Sequence, residues 1–101
     1  MKPALLVIDF IKGIASSGGS CAAYLTDHPY VIDHTNALIE RARECNAPIY
    51  AIRLAFNSDY EGLPKHAPSA HHIRQRRAFE QNSEACQWIL EIKIRPEDEL
   101  I

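Results

Sequence analysis

The stretch Ala4-Leu5-Leu6-Val7-Ile8-Asp9 decides the fold. Five apolar residues in a row, without the alternation of a half-solvated strand, suit a strand buried on both faces of a parallel sheet with helices on either side. Asp9 then stands at the carboxyl end of that strand, where open α/β sheets place their ligand crevice. An aspartate there either closes the strand as a turn residue or offers its carboxylate to the crevice, and position alone leaves both readings open.

Working outward, Phe10 to Tyr24 is rich in glycine and serine (Gly13, Ser16, Ser17, Gly18, Gly19, Ser20) and reads as a loop. Asp27 or His28 before Pro29 marks a helix start, because proline presets the backbone angle and its missing N–H is harmless in a first turn. The helix is expected to run to about Cys45, with Ile32, Thr35, Leu38, Ile39, Ala42 and Cys45 as its apolar stripe and Glu40, Arg41, Arg43 and Glu44 towards solvent. Asn46 can take the left-handed conformation that ends a helix, and Pro48 prevents continuation. Pro48 to Leu54 then reads as a second buried strand, completing a right-handed βαβ unit.

Beyond it, Asn57 to Ser69, with Gly62, Pro64 and Pro68, reads as a long loop of the kind that is usually functional or lid-like. His71 to Lys93 is mixed, with short helical turns around Ile73–Phe79 and Ala85–Ile92. Arg95-Pro96-Glu97-Asp98-Glu99-Leu100-Ile101 reads as a turn into a third strand that has barely begun. The expected architecture is a three-layer, Rossmann-like α/β fold, a parallel sheet flanked by helices and truncated after the start of its third strand.

The chain has 101 residues, 47% hydrophobic and 24% charged, which allows one domain, residues 1–101, with a thin core. A net charge of −2 leaves no electrostatic footprint for nucleic acid or an anionic membrane. The apolar run at the N-terminus is far too short for a signal peptide or a membrane span. Cys21, Cys45 and Cys86 are odd in number and widely spaced, which fits a reducing compartment, and a cytoplasmic location is expected.

Other strand-end aspartates are distinguished by their neighbours. A phosphoaspartate transferase of the haloacid dehalogenase type needs a second aspartate two residues later, where this chain has Ile11, and a receiver domain needs paired acids where Val7-Ile8-Asp9 supplies one. Gly13 to Ser20 has the glycine spacing of a phosphate-binding loop, but Gly19 stands where the lysine must be. His66, His71 and His72 lack a suitably spaced carboxylate or thiol and read as solvated loop histidines, and Arg74, Arg76 and Arg77 as a solvated face. Cys45, on the helix stripe, reads as core. Cys86 has nothing beside it to lower its thiol pKa, and nothing near Cys21 would activate it.

Taken in order, Ala4 to Asp9, the helix Ile32 to Cys45, Ala47 to Arg53, Phe56 through Asp59-Tyr60, and Arg95 to Ile101 resemble the isochorismatase-like cysteine hydrolases along the whole chain. The resemblance implies that Asp9 is the acid/base member of a Cys-Asp-Lys triad, taking the proton of a thiol that attacks an amide or related carbon and later helping to activate water. It further implies that the Pro-x-Asp turn at Pro96–Asp98 leads into the strand that delivers the lysine, so that this chain carries only the aspartate and is inactive alone. Backbone N–H groups beside the cysteine would hold the oxyanion. Where the family often has glutamine, Ile11 removes a polar contact near the substrate and leaves the substrate open. The Asp-x-His metal pair of nicotinamidase-type members is absent from Arg53-Leu54-Ala55-Phe56, so no metal and no other cofactor is expected. Phe56 is a candidate wall of the substrate pocket, with a core role the alternative.

The expected partner is therefore a small molecule, with neither nucleic acid nor membrane. The first strand would be left with an open apolar edge, so a homo-oligomer is expected. The alternative to an enzyme is a non-catalytic fragment or oligomerising interaction module of the same fold.

Overall fold

The computed structural model describes residues 2–16 and 18–99. Strand β1 (Leu5–Ile8) leads through helices α1 (Lys12–Ala15), α2 (Ala22–Asp27) and α3 (Tyr30–Glu44) to strand β2 (Ile49–Ile52). Helix α4 (Ala70–Arg76) and two 3₁₀ turns, Glu84–Cys86 and Pro96–Asp98, follow. The strands pair in parallel, Leu5 opposite Ile49 through to Ile8 opposite Ile52. Beyond β2, Glu99 forms a parallel bridge with Ala51, so a third strand begins where the sequence placed it. Its expected continuation, Leu100 and Ile101, lies outside the described residues.

Helix α3 follows Pro29, whose φ of −64° is already helical. It ends in a Schellman motif: Ala47 N–H donates to Ala42 O (2.8 Å) and Asn46 N–H to Arg43 O (3.1 Å), with Asn46 at φ 56°. The helix lies on the face of the sheet that carries Val7 and Ile49, which join Ile39, Ala42, Ile89 and Ile92 in the main core.

Three expectations are corrected. The apolar run is not buried on both faces, for Val7 is 2% exposed whereas Leu6 and Ile8 are 55% and 50% exposed. The reason is alternation: Leu6 and Ile8 point away from α3, and among the described residues nothing covers them fully. Cys45 is an exposed helix cap, and Leu38 is also exposed. Both sit on the shoulder of the stripe, roughly 100° round the helix from Ile39. The glycine- and serine-rich stretch is no plain loop, since α1 and α2 form within it. Ile11, fully buried, and the N–H of Lys12, which donates to Gln87 O (2.8 Å), anchor α1 from outside.

Residues 57–69 contain neither helix nor strand, as expected. They are nevertheless packed: Tyr60 and Leu63 form a satellite core with Ala70. The excursion is closed at its base by Phe56 N–H to Phe79 O (2.8 Å) and Gln81 N–H to Phe56 O (2.6 Å). Tyr60 Oη donates to Ala78 O (3.0 Å), and the Arg77 guanidinium lies over the Tyr60 ring. No helix among the described residues is long and apolar enough to cross a membrane.

Candidate active site

Asp9 continues the sheet by one bond, its N–H donating to Ile52 O at 3.0 Å. Its φ is then 67°, in the left-handed region where aspartate is tolerated better than most side chains. The chain is held hard on the far side of that turn. Phe10 O accepts the N–H of Ile89 (3.0 Å), Ile11 bridges Trp88 in antiparallel fashion, and Lys12 N–H donates to Gln87 O. The positive φ is thus fixed between the sheet and residues 87–89, the setting in which backbone strain persists at functional positions.

The Asp9 carboxylate is not a helix cap. The N-cap of α1 is Ile11, with no side-chain hydrogen bond. Among the described residues no hydrogen bond or salt bridge engages the carboxylate of Asp9, which is half-buried. A carboxylate left uncommitted at the strand end can accept a proton from, or orient, an incoming group.

Beside it, the end of β2 is tied down by a polar cluster that the sequence did not reveal. Arg53 donates to Cys86 O (3.1 Å) and pairs with Glu99 (3.3 Å), and the Trp88 indole N–H bonds the same Glu99 carboxylate. These partners come from three separate stretches, so no short-range spacing could have marked them. The cluster sets where residues 96–99 meet the edge of β2.

Phe56 is elsewhere in the packing. Its ring stacks obliquely on Tyr60, centroids 5.4 Å apart, within the satellite core. Asp9 instead closes a strand of the main core, so the two expected site residues belong to different clusters. Cys86 is buried, its Sγ within 3.4 Å of Glu80 O and 3.6 Å of Ser83 Oγ. Cys21 and Cys45 are exposed. Among the described residues no group of three His, Cys, Asp or Glu side chains could hold a metal ion.

A family model described as the isochorismatase domain matches residues 3–101. The chain belongs to the isochorismatase family. Among curated proteins and among solved structures, no match was found. For an isochorismatase-family chain the mixed α/β architecture, with β1 and β2 parallel and α3 between them, is the expected one. The family is one of hydrolases, and its match runs through both strands, Asp9 and the turn Pro96–Asp98.

Proposed function

We propose that this isochorismatase-family chain supplies, in Asp9, the acid/base carboxylate of a Cys-Asp-Lys hydrolase acting on a small amide or related substrate. One observation carries the reading: among the described residues nothing bonds the Asp9 carboxylate, which stands at the carboxyl end of a parallel strand on a backbone held at positive φ. In this proposal the nucleophile is none of the chain's own thiols: Cys86 is buried against Ser83 and Glu80, Cys45 caps α3, and Cys21 is exposed ahead of α2 with, among the described residues, only the Ser20 hydroxyl near its sulfur. Thiol and ammonium come from outside these residues. Asp9 takes the thiol proton as sulfur attacks the substrate carbon and gives it to the leaving amine; the freed carboxylate then takes a proton from the water that cleaves the thioester and passes it to the departing thiolate.

The test is hydrolysis of a panel of small amides by the polypeptide that carries all three groups, compared with its Asp9→Asn variant. General acid/base catalysis contributes about 10²- to 10⁴-fold, so a loss of that order is expected. Equal rates would remove Asp9 from the chemistry.

A second reading, a non-catalytic self-associating module, is favoured by the half-exposed Leu6, Ile8 and Ile52, which share one face of the sheet. We infer self-association through this face, and it is compatible with either role.

A further inference from the structure

The glycine-rich stretch encloses a feature that the hydrolase reading does not use. A cavity of about 410 Å³ is lined by Lys12, Gly13, Ser16, Gly18, Gly19, Glu84 and Ala85. Its walls depend on glycine for definite reasons. A Cβ on Gly13 would lie 2.9 Å from Ala85 Cβ, so only glycine lets the Glu84–Cys86 turn pack against α1. A Cβ on Gly19 would lie 2.5 Å from Ile14 O, a backbone atom that cannot step aside. Gly18, at φ 85°, takes a conformation that other residues rarely adopt.

One cation stands on this wall. Lys12 has 27% of its side chain exposed, and its Nζ meets Glu84 Oε1 at 3.4 Å. Glu84 is 80% exposed, so the pair is long, solvated and weak, and another anion can take the carboxylate's place. The sequence lacks a lysine inside the glycine loop, at Gly19. The fold supplies one from α1, on the same cavity.

We propose that this cavity binds a small anionic group, the carboxylate or phosphate of a low-molecular-weight molecule, with Lys12 as its charge partner and Glu84 as the carboxylate it displaces. The Ser16 hydroxyl can donate a further hydrogen bond, and the glycines leave room for the ligand. Lys12 is three positions after Asp9, so their Cα atoms are at most about 11 Å apart. The site does not depend on Asp9 being catalytic.

Titration of the ¹⁵N-labelled chain with inorganic phosphate and with succinate, followed at the amides of Lys12, Gly13, Gly18 and Gly19, tests this. Saturable shifts with either anion are expected, the tighter one identifying the preferred headgroup, and affinity should fall as salt is raised. Lys12→Gln should weaken binding about tenfold or abolish it, and Lys12→Arg should restore it in part. Glu84→Gln, which removes the competing carboxylate, should tighten binding by up to about fivefold, the range of an exposed ion pair. No saturable shift with either anion, wild-type affinity in a folded Lys12→Gln, or weaker binding by Glu84→Gln would each overturn the proposal. Should Lys12→Gln not fold, Glu84→Gln and the salt dependence decide it.

Discussion

Arg43 and Asp98, 55 residues apart, form a two-pronged ion pair: Nη1 to Oδ1 at 3.1 Å and Nη2 to Oδ2 at 2.6 Å. Asp98 is buried, and it also accepts the N–H of Arg95 (2.8 Å), so its carboxylate both caps the turn Pro96–Asp98 and fastens it to α3. Arg43 donates further to Lys93 O (3.1 Å). The pair therefore decides where residues 93–99, including the start of the third strand, lie on the α/β unit.

Asp98→Ala should destabilise the protein by about 3 kcal/mol, because it strands a largely covered guanidinium and an unsatisfied amide. Arg43→Met should cost about as much. The two losses should not add in the double variant, since each removes the same interaction. Urea denaturation of the four proteins measures this, and additive losses would show that the residues act separately.

The same pair sets an acid limit. Hydrogen bonding to Arg43, the largest cause, holds the Asp98 carboxyl below its ordinary value, helped by the Arg95 amide and opposed by burial. With the folded pKa below the unfolded one, the contribution is complete above about 3.9, the unfolded value, and is lost as pH falls through the lower folded pKa. Stability should thus fall in strong acid more steeply for wild type than for Asp98→Asn. Chemical denaturation at a series of pH values checks it, and parallel curves would assign the acid sensitivity to other groups.

The elements legible in the sequence were those fixed by local chemistry. Pro29 opens α3, Asn46 and Pro48 close it, and the apolar runs at Ala4–Ile8 and Pro48–Leu54 contain the two strands. Asp9 was legible because strand and aspartate are contiguous. What stayed hidden is long-range. Arg53, Trp88 and Glu99 meet only when residues 84–99 fold back on the ends of the strands, and Lys12 meets Glu84 across 72 residues. Likewise α1, only four residues long and with Gly13 inside it, forms because Gln87 and the burial of Ile11 hold its start.

Gly19→Ala should be destabilising by about 1 to 3 kcal/mol, because the added methyl group would press on the Ile14 carbonyl, part of the backbone of α1. Gly62→Ala is the control: nothing lies within 4 Å of a Cβ there. That substitution should be neutral or slightly stabilising by restricting the unfolded chain. Thermal melts of both variants compare them, and equal melting temperatures would mean that the glycine loop yields without loss.

Leu6 and Ile8 provide the final test, of self-association. On β1 they point away from α3, and Ile52, opposite Ile8, extends the same face. Apolar side chains left half-bare on adjoining strands are stabilised by whatever covers them, and β1, without charge or proline, does nothing to deter pairing at the edge that no strand occupies among the described residues. If a second copy covers this face, Leu6→Lys and Ile8→Lys place a charge in the interface and should convert the associated species to monomer while leaving the fold intact. Sedimentation velocity over a concentration series, with circular dichroism on the same samples, reads both. A wild-type chain that sediments as a monomer throughout would end the self-association reading, and Asp9 as the catalytic carboxylate would stand or fall on its own assay.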